Sequence, residues 1–406
     1  MNSIWKTSTA PQALAARRPF LIAIALSLGA AISLGLTRFS YALLLPPMRD
    51  DLGWSYLLSG TMNTGNALGY FVGALITPAL MKRCGAQTAL VGGAVLAGVF
   101  MMLSGFVVDA NLLILQRVLA GIASAFIFIS GGVLAARLSL LHPDRAGLLI
   151  GIYYGGTGLG IVLSALLVPF ALEVASDYGA AHAWQWAWIA LGAVGLLATL
   201  VMALPSRHID GAPSAASEHG KFRLRPFAFG LTGYFMFGVG YIGYMTFVIA
   251  LLKEQGMSAG TITLFYSVLG LAVVASSRIW ARMLDRFKGG QSMAILNGLL
   301  GVATILPALT AAAMLVFASG LMFGAIFLSV VASTTALVRH NLPNHAWSSG
   351  ISAFTTVFAL GQIIGPSVIG WIADGPGGLQ RGLIYSALAL FIGAMLASRQ
   401  RALQTA

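Results

Sequence analysis

SRHIDGAPSAASEHGKFRLR, residues 206–225, is the longest polar stretch in a chain that is otherwise strongly apolar. It combines Pro, Gly and Ser with charged residues, a composition typical of a flexible linker. Of the 406 residues, 58% are hydrophobic and 8% are charged, whereas an ordinary globular domain carries about 25% charged residues. The sequence therefore predicts an integral membrane protein that is divided by a polar linker.

Twelve apolar stretches flank the linker, six on each side, and each can cross the roughly 30 Å hydrocarbon layer of a bilayer as a helix. The predicted spans are residues 20–45, 57–81, 86–108, 111–138, 146–171, 184–204, 226–252, 259–283, 289–312, 313–338, 347–373 and 378–398. We expect an all-α membrane protein with twelve transmembrane helices in two pseudo-symmetric six-helix bundles. The predicted bundles cover residues 1–204 and 226–406, and a cytoplasmic linker covers 205–225.

The distribution of Lys and Arg predicts the orientation of the chain. Seventeen of these 23 residues fall on the side of the termini, and only Arg49, Lys253 and Arg381 fall on the opposite side. Because positive loops stay in the cytoplasm, we expect a multi-pass protein of a bacterial inner membrane with both termini cytoplasmic. The net charge of +12 forms no basic stripe, which argues against nucleic acid and favours membrane lipids as partners.

The two halves repeat at a constant spacing of 203 residues. The offset places Arg38 on Tyr241, Tyr41 on Tyr244, Arg83 on Arg286 and Gly121 on Gly324. A parallel six-helix repeat about an axis along the membrane normal is typical of secondary transporters that bind their substrate near the midplane.

The stretch ARMLDRFKG at 281–289 resembles the loop signature of the major facilitator superfamily between helices eight and nine. The first-half copy, PALMKRCG at 78–85, has Lys82 where that signature has an acidic residue. RVLAGIASA at 117–125 is similar to the family's helix-four pattern, and GLTRFSYALLLPPM at 35–48 looks like the first helix of its bacterial YbfB/YjiJ-like branch. The resemblance implies a transporter, and we expect it to work by alternating access as a monomer.

Within the signature, Asp285 and Arg286 are candidates for a conformational latch. They can cap a helix end and pair with neighbouring ends in one conformation and not in another. A solvated turn is the alternative interpretation.

Three arginines, Arg38, Arg117 and Arg278, lie inside predicted spans without an Asp, Glu, Lys or His at comparable depth. A charge in hydrocarbon costs roughly 2.5–3.5 kcal/mol on insertion scales, so such residues normally have a partner. A small organic anion would supply one. Arg117 could instead bond to backbone carbonyls, and Arg278, roughly 10 Å into the membrane at 1.5 Å per residue, could extend to the surface.

Helices one and seven contribute the remaining core of the predicted substrate site. Arg38 and Tyr41 share one helix face, and Tyr241 and Tyr244 share another. A guanidinium opposite phenol groups suits a monocarboxylate or an aromatic acid. Asn66, Tyr154 and Gln362 are further candidates, although such residues often only bond between helices.

The sequence offers no cluster of nucleophile, acid and base at one depth, and its six histidines fall in loops or at span ends. We therefore expect no enzyme activity, no cofactor and no metal site. A proton-driven efflux pump for drugs or metabolites is the alternative function, although no embedded acid is available for it. Uniport, exchange and symport of a proton carried by the substrate itself remain open.

Overall fold

The computed structural model describes residues 18–209 and 222–403. Twelve long helices, which we number α1 to α12, fill these ranges, and short 3-10 turns connect some of them. Their bounds are α1 Pro19–Leu52, α2 Tyr56–Cys84, α3 Ala86–Ser104, α4 Ala110–Leu140, α5 Ala146–Asp177, α6 Ala183–Ser206, α7 Ala228–Glu254, α8 Ala259–Ile279, α9 Gln291–Leu309, α10 Ala313–Asn341, α11 Trp347–Ala373 and α12 Gly378–Ser398.

Eleven of these described helices are long and apolar enough to cross a membrane. The exception is α2, which is 29 residues long but carries amides and hydroxyls, Asn63, Thr64 and Asn66 among them. The predicted all-α fold of twelve helices is confirmed. The central part of the predicted linker, 210–221, lies outside the described residues, and the division into domains at 204 and 226 stays a prediction.

Helices α1–α6 pack mainly on one another, as do α7–α12, and three helix pairs join the two bundles. These pairs are α1 with α7, α2 with α11, and α5 with α8. The even number of spans places residues 18 and 403 on one side, which we name the terminal face. The opposite side, with the turns after α1, α7 and α11, is the distal face.

The 203-residue repeat is visible in local structure. Ser55 caps α2 by accepting a 3.1 Å bond from the amide of Leu58, and Ser258 caps α8 by accepting a 3.2 Å bond from that of Thr261. Each residue of the second cap lies 203 positions after its counterpart. The repeated caps start the two helices at equivalent points.

Gly121 and Gly324 show the same repeat in helix packing. A Cβ at Gly121 would collide with the carbonyl oxygen of Asn66 in α2, and one at Gly324 would collide with that of Leu269 in α8. Asn66 and Leu269 are again 203 positions apart. The two bundles are therefore related by a structural repeat in which a glycine allows close approach of backbones.

The middle of α1 is a π-helix, Ala31–Phe39, within an otherwise α-helical span. Here the amide of Ser40 bonds to the carbonyl of Gly35 at 3.0 Å, five residues back. Gly35 packs against Gly160 of α5 so closely that a Cβ would overlap the backbone. Such wide turns are rare and occur frequently at functional sites, and this one contains Arg38.

Candidate functional site

Arg38 lies in the π-helical segment of α1, and only 3% of its surface is exposed. Its Nε and Nη2 atoms are buried and have no hydrogen-bond partner among the described residues. The guanidinium acts electrostatically on the phenol groups of Tyr70 in α2 and Tyr241 in α7. Two buried donors of a cation thus remain unsatisfied between the two bundles, which is costly unless an acceptor binds there.

Arg117 of α4 is also 3% exposed, but the structure holds it more firmly. Its Nη1 donates to the carbonyl oxygen of Thr37 at 2.6 Å. The guanidinium carbon lies 5.1 Å from the ring centroid of Tyr41 and 5.2 Å from that of Trp188, within the range of cation–π attraction. Nε and Nη2 remain without a partner among the described residues.

Arg38 and Arg117 are the only charged side chains in the buried class among the described residues. They also repel each other electrostatically. Every described Asp and Glu is exposed. The two guanidinium groups therefore form a buried cationic centre without a resident carboxylate.

Tyr241 and Gln362 form the opposite wall. The Tyr241 hydroxyl donates to Oε1 of Gln362 at 2.9 Å, and both residues are 3% exposed. The Tyr241 ring stacks on Phe237, Phe327 and Phe358, with centroids 4.8–6.0 Å apart. The wall offers flat apolar rings with a fixed phenol and amide at their edge.

Two asparagines of α2 each keep an unsatisfied acceptor. Asn66 donates to the carbonyl of Arg117 at 3.3 Å, and Asn63 donates to the hydroxyl of Thr246 at 2.7 Å. Their Oδ1 atoms are buried and have no partner among the described residues. Each amide therefore bonds to another helix through its nitrogen, and its oxygen can still accept a hydrogen bond.

Tyr154 of α5 is 37% exposed and packs against the rings of Phe128 and Tyr153. It acts electrostatically on Tyr70, the same phenol that Arg38 faces. Tyr154 therefore lies within electrostatic range of Tyr70.

The hydroxyls of Tyr41 and Tyr244 do not point to the cationic centre of Arg38 and Arg117 but bond elsewhere. The Tyr41 hydroxyl donates to the carbonyl of Ser59 at 2.8 Å, and that of Tyr244 bonds to Ser319 at 2.7 Å. Both side chains are fully buried within their own bundles. Sharing a helix face with Arg38 or Tyr241 was not enough, because each phenol bonds to a neighbour of its own bundle.

Arg278 is not buried, contrary to the expectation of an embedded charge. Helix α8 ends at Ile279, four residues earlier than predicted, and Arg278 lies in its last turn as an exposed side chain. A short helix, Ala281–Arg286, follows. Because the helix breaks after Ile279, Arg278 lies at the end of α8. The predicted helix, which continues to residue 283, would place Arg278 at least one turn inside its span.

Comparison with known proteins identifies the family. The sequence model described as "Uncharacterised MFS-type transporter YbfB" matches residues 30–398. The chain belongs to this family of MFS-type transporters. It is a multi-pass membrane transporter of the major facilitator superfamily and not an enzyme.

Two relatives from Agrobacterium vitis carry the name "Putative tartrate transporter". One is 23% identical over 387 residues, which cover 86% of this chain and 83% of the relative. The other is 23% identical over 377 residues, which cover 86% of each chain. The transporter is thus similar over most of its length to proteins named for a small organic anion.

Solved structures share the fold at low sequence identity. A bacterial homologue of the human lysosomal transporter Spinster, inward-facing and unoccupied, has a TM-score of 0.71 at 16% identity and covers 96% of this chain and 97% of its own. The nucleoside transporter NupG has a TM-score of 0.69 at 14% identity, with 94% and 99% covered. FucP in the outward conformation has a TM-score of 0.62 at 14% identity, with 95% and 99% covered.

The transporter's two bundles are linked at the distal face. The carboxylate of Asp374, at the end of α11, accepts hydrogen bonds from the backbone amides of Tyr56 and Leu57, at 2.7 and 2.9 Å. It thereby caps the N-terminus of α2 from the other bundle. Lys253 of α7 pairs with Asp50 of α1 at 2.8 Å, and the Tyr56 hydroxyl donates to Glu254.

Below these links, Thr64 of α2 donates to the carbonyl of Ile363 in α11 at 2.8 Å, and the hydroxyl of Tyr266 in α8 donates to the carbonyl of Phe39 at 2.7 Å. We name the set of Asp374, Lys253 and Glu254 with their partners in α1 and α2 the distal gate. In this structure these contacts join the two bundles at the distal face.

Asp285 and Arg286, the predicted latch, are exposed in the short helix Ala281–Arg286. In the described part of the chain, neither is found in an ion pair, and the guanidinium of Arg286 lies 5.8 Å from the ring of its neighbour Phe287. In this conformation the two side chains thus lie exposed in a short helix, and the latch stays a prediction.

The sequence did not single out Tyr70, whose phenol lies within electrostatic range of Arg38, and it did not indicate the distal gate. Asp374 stands directly before Gly-Pro-Gly-Gly, and Tyr56 directly follows the cap residue Ser55. Those signals predict a turn and a helix start. Nothing in the sequence indicates that the two ends meet.

Proposed function

We propose that the protein moves a small organic anion across a bacterial inner membrane by alternating access. In this proposal the bundles 1–204 and 226–406 rock against each other, and the termini lie in the cytoplasm. One observation carries the proposal: Arg38 is a buried cation between the bundles whose Nε and Nη2 have no partner among the described residues. Two parallel N–H groups of a guanidinium match the two oxygens of a carboxylate.

The lining favours a monocarboxylate or an aromatic acid. The carboxylate would bind Arg38, and the apolar body would lie against Tyr241 and the rings stacked on it. Asn63 and Asn66 would accept hydrogen bonds from substrate hydroxyls through their free Oδ1 atoms. The site therefore combines one strong charge contact with an aromatic wall.

A hydroxylated dicarboxylate is the second candidate substrate. Nε and Nη2 of Arg117 are also unpaired among the described residues, and Arg117 and Arg38 interact electrostatically. Two carboxylates could therefore be neutralised at one centre. The names of the Agrobacterium vitis relatives agree with such a substrate, because tartrate has two carboxylates and two hydroxyls.

A closed distal gate is one end state of the proposed cycle. With the termini in the cytoplasm, this state keeps the site closed to the outside. An anion on Arg38 removes the cost of enclosing an unpaired charge, so the loaded site closes more easily than the empty one. In a proton symport the proton would have to travel on the substrate, because no carboxylic acid is buried among the described residues.

The absence of a buried carboxylic acid among the described residues argues against a proton-driven efflux pump for apolar or cationic compounds. Such a pump needs an acid that gains and loses a proton within the pathway, and the described pathway offers two cations instead. A lipophilic cation would add to their mutual repulsion. We therefore place this alternative second.

Uptake into proteoliposomes tests the proposal. Labelled benzoate, lactate and tartrate are compared with a labelled lipophilic cation, and Arg38→Gln is compared with Arg207→Gln, a control at an exposed position in the turn after α6. We expect uptake of at least one acid by the wild type and the control, and none by Arg38→Gln. Transport of the cation alone, or full acid uptake by Arg38→Gln, would refute the proposal.

A further inference from the structure

A cavity of about 700 Å³ lies at the terminal face of the C-terminal bundle. Its lining comes from the start of α7 and from the chain that follows α12, and includes Arg225, Phe229, Arg399, Gln400, Arg401 and Leu403. None of these residues belongs to the cationic centre at Arg38. The cavity therefore needs an explanation of its own.

Gln400 holds the cavity together. Only 3% of its surface is exposed. Its Nε2 donates to the carbonyl of Pro226 at 3.0 Å, and its Oε1 accepts from the amide of Gly230 at 3.0 Å. Its own carbonyl accepts from the amide of Gly290 at 2.9 Å. These bonds fix the backbone on both sides, so Arg399 and Arg401 are held beside Arg225.

The three arginines give the cavity a strong positive charge. Arg225, Arg399 and Arg401 are all exposed, and no carboxylate is among the residues that line the cavity. Each guanidinium presents N–H groups in a geometry that fits phosphate oxygens in pairs. Grouping three like charges is unfavourable on its own, so a phosphate is the natural counterion.

The position of the cavity indicates where the phosphate comes from. Helix α12 has 21 residues, about 30 Å at 1.5 Å per residue, which matches the hydrocarbon thickness of a bilayer. The cavity at its end thus lies at headgroup level. Phe229, in the first turn of α7, is 45% exposed beside the arginines and offers an apolar surface to an acyl chain.

We propose that this cavity binds an anionic phospholipid, with the headgroup phosphate on Arg225, Arg399 and Arg401 and an acyl chain against Phe229. Binding of this kind fixes the start of α7 to the end of α12. It is independent of the transported substrate and of which face is cytoplasmic, because the argument uses only charge, depth and local packing.

The test is the shift in thermal unfolding of purified protein in detergent upon addition of phosphatidylglycerol, phosphatidylcholine or inorganic phosphate. The variant carries Arg225→Gln, Arg399→Gln and Arg401→Gln. The matched control carries Lys82→Gln, Arg83→Gln and Arg282→Gln, three exposed residues outside the cavity lining and with the same loss of charge. A ligand that binds only the folded state raises apparent stability.

We expect phosphatidylglycerol to raise the unfolding temperature of the wild type and the control by several degrees more than phosphatidylcholine does. The variant should lose most of that difference. Equal shifts in variant and control, or equal shifts with the two lipids, would overturn the proposal. If inorganic phosphate alone raised the unfolding temperature as much as phosphatidylglycerol does, the cavity would bind a free anion, and the proposal of a lipid ligand would be overturned.

A second measurement applies if the variant does not fold. Native mass spectrometry of the wild type, released from mixed micelles, should show a retained phosphatidylglycerol in preference to phosphatidylcholine. Retention should fall in Arg401→Gln alone, and no preference would contradict the proposal.

Discussion

Arg117 donates a 2.6 Å hydrogen bond from Nη1 to the carbonyl oxygen of Thr37, the residue directly before Arg38. One buried arginine thus braces the backbone that carries the other. Both arginines have Nε and Nη2 buried and unpaired among the described residues, but Arg117 also contacts a main-chain oxygen and two aromatic rings. We infer that Arg117 mainly positions the π-helical segment and that Arg38 mainly binds the anion.

This division of roles predicts different effects of the two substitutions on stability. Arg117→Gln should lower the stability of the ligand-free protein by about 1.5–3 kcal/mol, the usual contribution of a hydrogen bond to a charged group. Arg38→Gln should leave stability unchanged or raise it, because it removes an unpaired buried charge. Thermal unfolding in detergent without added acids measures both. A loss of stability in Arg38→Gln as large as in Arg117→Gln would contradict the assignment.

The position of the aromatic wall predicts that Tyr241 and Tyr244, which share a helix face, differ in their effect on anion affinity. Tyr241→Phe removes the hydroxyl bonded to Gln362 but keeps the stacked ring, and a net hydrogen bond contributes about 0.5–1.5 kcal/mol. Because this bond fixes the phenol and amide at the edge of the wall against which the anion would lie, we expect its loss to lower anion affinity by up to about tenfold. Tyr244→Phe removes a hydroxyl bonded to Ser319 inside the bundle and should leave affinity unchanged. Titration calorimetry with the best acid compares the two, and equal losses would place Tyr244 in the site.

The distal gate predicts that Asp374 restricts access from the distal face. Asp374→Ala removes both hydrogen bonds to the start of α2 and should favour the state that is open on that side. A cysteine introduced by Thr246→Cys, in a Cys84→Ser background, reports access below the gate to a membrane-impermeant maleimide. Labelling from the distal side should increase severalfold.

Asp109→Ala is the matched control for the gate. Asp109 caps α4 through the amide of Leu112 at 2.9 Å and does not link the bundles. The control should lose cap stability without gaining labelling. If both variants label equally, the effect of Asp374 comes from helix fraying and not from opening of the gate.

The packing repeat predicts equivalent damage in the two bundles. Gly121→Val and Gly324→Val each place a side chain against a carbonyl oxygen, of Asn66 and Leu269 respectively. Both variants should destabilise the protein by overpacking, typically about 1–3 kcal/mol or more. Gly92→Ala has open space around its Cβ and serves as the control. Folded yield and unfolding temperature are the measurements, and damage in one bundle alone would argue against the repeat.

The fold could be predicted because its signals are long and redundant. Apolar runs of some twenty residues define the spans, and the offset of 203 extends to the caps at Ser55 and Ser258 and to the glycines at 121 and 324. The boundary near 312 also lies between Leu309 and Ala313, where α9 ends and α10 begins. Errors at individual residues do not change such a pattern.

The site could be predicted only in part, because side-chain direction depends on packing. The buried position of Arg38 agrees with its place in an apolar run, but the π-helix that holds it leaves no clear sequence signal. Whether Arg278 is buried depends on where α8 ends, and the helix ends at Ile279, one residue after Arg278. The gate at Asp374 depends on the meeting of two helix ends that are more than 300 residues apart in the sequence.

Thermal shifts of wild type and Arg38→Gln against one panel of organic acids show whether the guanidinium of Arg38 binds the anion. At least one carboxylate should raise the unfolding temperature of the wild type, and the same acid should have no effect on folded Arg38→Gln. An equal shift in both proteins would contradict the claim that the unpaired guanidinium of Arg38 binds the transported anion.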